Sequence, residues 1–200
     1  MEQGWTEAFQ ELLHGRFAES DTFVGDTRSA TAVRLARWFA GLETELPYVD
    51  LERTLSLAAE GDEVEQLVVR RWALACVLRG DRALLDASIP GGTGGLSVAR
   101  GWQRVARGQR PDSIDTGNGD SIDHPALTVD SVLLRALGGL SGSDPERART
   151  DARRAFRMAQ AEALPQSQYL AGIVLARYRR LSGHPHLALR IVRGLARVAP

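Results

Sequence analysis

The chain has 200 residues, 44% of them hydrophobic and 25% charged, an ordinary globular composition that excludes wholesale disorder and is long enough for an unstapled core. Its single cysteine, Cys76, excludes an intrachain disulfide framework. The 25 basic and 25 acidic residues cancel overall, but not locally: residues 1–100 carry 10 Arg against 16 Asp and Glu, and residues 101–200 carry 15 against 9.

The chain is therefore dipolar, with a net of −6 in its first half and +6 in its second. Such a distribution steers a partner, or a second copy, into a preferred orientation. Every basic residue is Arg, which fits either genome composition bias or use of the planar guanidinium at interfaces. The start, Met1-Glu2-Gln3-Gly4, has no basic stretch leading into an apolar one, so no signal peptide is expected. The apolar run 170–176 is far too short to cross a bilayer. A cytoplasmic chain without membrane contact is expected.

Helical periodicity dominates from end to end. Trp5, Phe9, Leu12 and Leu13 form a stripe that stops at Gly15. Residues 28–42 repeat the pattern with Val33, Leu35, Trp38, Phe39 and Leu42. Residues 48–59 and 63–79 predict an antiparallel pair around Gly61-Asp62, and 96–107 predicts a shorter helix. Residues 125–140 are apolar enough for another, ended by glycines. Asp144-Pro145-Glu146 is a start signal: an N-cap acid, a proline at the first position and a carboxylate in the first turn. That helix runs to about residue 163, and 166–181 forms the next. Gly183 stops it, and His184-Pro185 opens the last helix, with Leu187, Ile191, Leu195 and Val198 on one side and Arg190, Arg193 and Arg197 on the other. No segment alternates like a strand. The expected class is all-α, about eight to ten helices joined by short turns.

Two stretches break the periodicity. Residues 89–95, IPGGTGG, predict a flexible connector, and 109–123, QRPDSIDTGNGDSID, a flexible loop. The chain thus divides into an acidic helical half, 1–108, the loop 109–123, and a basic helical half, 124–200.

An internal repeat is visible in the basic half. Ala152, Phe156 and Ala159 have the spacing A-x3-F-x2-A and precede Pro165; Ala188, Val192 and Leu195 have the same offsets 36 residues later and precede Pro200. Leu35, Phe39, Leu42 and Pro47 repeat the spacing a third time. A small residue lets the two helices of a hairpin approach, a large one a turn later fills the gap to the next hairpin, and proline ends the unit. This resembles the second-helix signature of the tetratricopeptide repeat family. Trp5-x2-Ala8-Phe9 and Trp72-x2-Ala75-Cys76 resemble its first-helix pattern. The match is degenerate: Gly172 stands where the last unit's first-helix aromatic belongs, and residues 80–125 leave the register. The resemblance implies an α-solenoid of antiparallel hairpins, and a chain closing on a unit at Pro200 implies a fragment of a longer protein or a surface paired with another subunit. A non-repetitive helical bundle is the competing architecture.

The resemblance also implies a groove. Leu170, Ile173, Arg177 and Arg180 take the groove positions of the last unit, where related repeats use basic residues to grip a partner's C-terminal carboxylate; Ile173 stands where asparagine is usual. The competing account is a solvated helical face. Arg147, Arg149, Arg153, Arg154 and Arg157 can contact phosphates, but the neutral overall balance disfavours a nucleic-acid role. The glycines at 91–95 lack the Lys-Ser/Thr and preceding strand of a phosphate loop. The doubled Asp-Ser-Ile-Asp at 112–115 and 120–123 has no EF-hand register, and His14, His124, His184 and His186 have no metal spacing. Cys76 lies among apolar residues and is expected in the core. The expectation is a non-enzymatic, cofactor-free interaction module or scaffold that binds a protein or peptide, acidic in character, or self-associates. Arrays resembling this one often accompany bacterial-type signalling or transcription-control domains. A nucleic-acid-associated regulator segment is the alternative.

Overall fold

A computed structural model of the chain describes residues 27–39, 43–92, 94–109, 111, 125–140 and 144–196. Among these residues there are nine α-helices and no strand, so the described part of the chain is all-α. The described residues fall into two compact units, one reaching residue 109 and the other comprising residues 111, 125–140 and 144–196. The predicted helix at 5–15, most of the 109–123 loop with both Asp-Ser-Ile-Asp runs, and Pro200 lie outside the described residues.

The first unit is built around one helix. Its elements are α1 (Thr27–Phe39), α2 (Leu51–Ala59), α3 (Glu63–Arg79), the short α4 (Ala83–Asp86) and α5 (Gly94–Ala106). The other four all pack on α3. Its stretch 67–76 is buried without interruption, because a helix that is apolar on nearly every side must be covered on every side. Arg71, within this stretch, places its guanidinium 5.4 Å from the centre of the Phe39 ring on α1. Asp62 caps α3 by accepting from the Glu65 amide at 3.1 Å, and Gly80 ends it in the left-handed conformation at φ +68°.

Two glutamines fasten the surrounding helices. Gln66 on α3 donates to the Ala58 carbonyl of α2 and accepts from the Gly95 amide of α5. Gln103 on α5 donates to the carbonyls of Leu84 and Ala87, both at 2.7 Å. The glycine stretch predicted as a flexible connector is therefore partly helix. Gly94 and Gly95 open α5, and a Cβ on Gly95 would stand 2.7 Å from the Gln66 carbonyl oxygen. Gly95 is the point where α5 touches the backbone of α3. The four-residue α4, which has no periodicity to betray it, was not predicted.

The second unit consists of α6 (Pro125–Leu140), α7 (Pro145–Ala161), α8 (Pro165–Leu181) and α9 (Pro185–Leu195). Each helix packs on the next, and α6 also packs on α8. Among the described residues α6 and α9 share no extensive interface. The buried face of α7 is four alanines, Ala148, Ala152, Ala155 and Ala159, which lets its neighbours approach closely. Gly139 of α6 lies against Ala148, where a Cβ would come within 2.9 Å of the alanine methyl. Arg135 pairs with Asp151 at 3.4 Å between α6 and α7, and the Tyr178 hydroxyl of α8 donates to Glu146 of α7 at 2.8 Å.

All four helices of this unit begin at a proline, at positions 125, 145, 165 and 185. Helix starts thus recur every 20 residues, and alternate helices begin 40 residues apart. The 36-residue offset read from the A-x3-F-x2-A motif is one helical turn short, which still lands on the same helix face. The turns repeat as well. At the α7–α8 turn the amides of Glu162, Ala163 and Leu164 bond the carbonyls of Met158, Gln160 and Ala159. At the α8–α9 turn Ser182, Gly183 and His184 bond Tyr178, Arg180 and Arg179 in the same pattern. The central residue is left-handed in both, Ala163 at φ 52° and Gly183 at φ 78°.

Candidate functional site

A groove runs along the outer faces of α8 and α9. Its walls are Ile173, Ala176, Arg177 and Arg180 from α8 and Pro185, Ala188, Leu189 and Val192 from α9, and it encloses about 450 Å³. Three of the four predicted site residues, Ile173, Arg177 and Arg180, line it together. Leu170, a turn earlier on α8, is half-buried and is not part of the wall.

The two helices meet closely because of one glycine. Gly172 faces Leu195, and a Cβ there would stand 2.6 Å from a leucine methyl carbon. The residue that spoils the repeat signature is thus the one that lets α9 lie tightly on α8. Leu195 and Ala188 are buried, but Val192 between them is not. Ile173, Leu189 and Val192 are 42%, 50% and 48% exposed, a concentration of apolar surface on one face of the unit. Sequence reasoning placed Leu189 with no role. Its spacing from Pro185 and Val192 becomes informative only when α8 is known to lie beside it.

The electrostatics of the groove are one-signed. Among the described residues neither Arg177 nor Arg180 makes an ion pair, and both are exposed. Pro185, at the start of α9, lines the same end of the groove as Arg180. An anionic group placed there meets two guanidiniums able to make forked hydrogen bonds. The groove thus offers an apolar floor and a cationic rim.

Other predicted candidates are distributed differently. On α7, Arg149 pairs with Glu146 at 2.6 Å, while Arg153, Arg154 and Arg157 are exposed. His184, the residue before α9, and His186, in its first turn, stack at 6.2 Å, and among the described residues no three His, Cys, Asp or Glu side chains gather as a metal site. Cys76 is buried in α3, and burial, followed by the charge of Asp81, pushes its thiol up to about 12. It stays protonated at neutral pH and is a poor nucleophile. No helix of the described residues is long and apolar enough to cross a membrane. No family model matches the chain, and neither a curated protein nor a solved structure matches it at a significant level.

Proposed function

We propose that the chain is a protein-interaction module whose second unit is a tetratricopeptide-like stack of helical hairpins, acting as a regulatory or scaffolding segment. The groove on α8 and α9 carries this proposal: exposed aliphatic side chains beside two unpaired arginines fit a partner peptide or helix with apolar and acidic residues. The contact order supports stacking. Each helix of the second unit rests on its successor, α6 also rests on α8, and the end helices lack an extensive interface, whereas a closed four-helix ring joins its first and last members. In such a stack α8 seats on both α7 and α6, so the space between α8 and α9 is shaped for one more element.

The test is a fluorescence-anisotropy titration with a labelled synthetic amphipathic peptide that has a leucine stripe and paired glutamates. Wild-type chain binds it, and R177E/R180E weakens binding at least about tenfold with an unchanged circular-dichroism spectrum. Equal binding by wild type and variant removes the groove from the account.

A nucleic-acid role has one observation in its favour, the exposed and unpaired Arg153, Arg154 and Arg157 along α7. Steep loss of affinity for a DNA duplex with added salt supports it, and no binding at low salt ends it.

A further inference from the structure

The first unit carries a surface that complements the groove in charge and offers it an exposed aromatic ring. Residues 45–52 read Glu-Leu-Pro-Tyr-Val-Asp-Leu-Glu, and 46–50 are neither helix nor turn. Pro47 is buried and anchors the segment, while Tyr48 beside it is 84% exposed, more than any other large hydrophobic side chain of the described residues. Glu45, Asp50 and Glu52 flank it in sequence and are all exposed. Asp50 is committed to capping α2, but among the described residues Glu45 and Glu52 make no ion pair. The acidity extends further: residues 43–65 contain eight Asp and Glu against one Arg.

We infer that the groove of one copy receives the tyrosine-tipped acidic segment 45–52 of a second copy. This rests on the groove being a binding site. The tyrosine ring fills the apolar floor formed by Ile173, Leu189 and Val192, where burying an aromatic ring supplies the anchor that interfaces characteristically use. Glu45 and Glu52 meet Arg177 and Arg180, which are otherwise unpaired, and a guanidinium also stacks on a tyrosine face. Like charges disfavour the other pairings: groove against groove sets arginines together, and segment against segment sets carboxylates together. The contact therefore joins a groove to a segment, either reciprocally in a two-fold pair or head to tail in a ring or an open chain. Because the pairs lie at an exposed rim, salt weakens the assembly.

The experiment is light scattering of the purified full chain over a concentration series. The mass rises above that of one chain with concentration at low salt and returns to one chain at about 0.5 M salt, where screening acts over only a few ångströms. Tyr48→Ala, R177E/R180E and E45R/E52R each weaken association at least about tenfold with unchanged circular dichroism. Mixing R177E/R180E with E45R/E52R restores association, because each supplies the charge the other has inverted. A chain that stays single at every concentration, association indifferent to both double variants, or a mixture that remains single overturns the inference. If wild type stays single yet binds the synthetic acidic peptide, self-docking fails and the groove stands as a site. If neither occurs, both fail.

Discussion

α3 and α7 are each 17 residues long and end on comparable turns, but they solve opposite packing problems. α3 buries Glu65 and the whole of 67–76, including Trp72, and is surrounded by four helices. α7 buries four alanines on one stripe and leaves most of its arginines in water. The first arrangement is a closed core with its apolar surface spent inward. The second is a row in which each helix covers only part of its neighbour, so the last pair keeps an uncovered face. Exposed apolar surface is thus a by-product of pairwise packing: in the second unit it lies on the last two helices, at Ile173, Leu189 and Val192.

Three comparisons sharpen this contrast, in order of decreasing effect. The largest concerns side-chain truncation. Leu74→Ala in the middle of α3 is expected to cost about 2–5 kcal/mol, the range for a buried leucine with no room to relax. Val192→Ala in the groove is expected to stay within about 0.5 kcal/mol, as exposed substitutions do. Urea unfolding of both variants measures the difference, and a similar loss at the two positions would mean that the groove is part of a closed core.

The second concerns close approach. Gly95→Ala drives a methyl against a backbone carbonyl oxygen at 2.7 Å, which cannot move without displacing α3, and is expected to cost about 2–3 kcal/mol. Gly172→Ala meets the tip of Leu195, which can change rotamer, and the alanine gains about 1 kcal/mol of helix propensity. Its net cost is expected to be under about 1 kcal/mol, with the same denaturant assay as readout.

The smallest effect tests the repeated turn. Ala163 holds a left-handed conformation that costs an L-residue about 1–2 kcal/mol, so Ala163→Gly is expected to stabilise by about 0.5 kcal/mol after the entropy of glycine is counted. Gly183→Ala at the matching turn is expected to destabilise by about 1 kcal/mol. Opposite signs in thermal melts confirm that the two turns share one geometry, and equal signs exclude it.

Much of the fold was legible because long helices bounded by caps, prolines and glycines advertise themselves. The segments 63–79 and 125–140 match α3 and α6 to the residue, and Asp144 caps α7 as its spacing predicts, accepting from the Arg147 amide at 2.9 Å. The shared interval of the prolines at 145, 165 and 185 is not visible in the A-x3-F-x2-A spacing, because that spacing follows side-chain size rather than helix starts. Ile173, Arg177 and Arg180 were legible as one stripe of one helix. Pro185, Ala188, Leu189 and Val192 were not, since a groove has two walls and periodicity describes one helix at a time. Gly95 was misread for a related reason: a glycine run looks flexible in one dimension, and only the neighbouring backbone shows that it is a contact.

Local free energies are written along the chain, so the amino-acid order by itself determined the helices, their caps and the segregation of acidic from basic residues. Which faces were covered depended on partners distant in sequence. Tertiary structure alone made α3 a hub, set Leu195 on Gly172, and left Leu189 and Val192 beside two arginines, because burial is a property of neighbours in space.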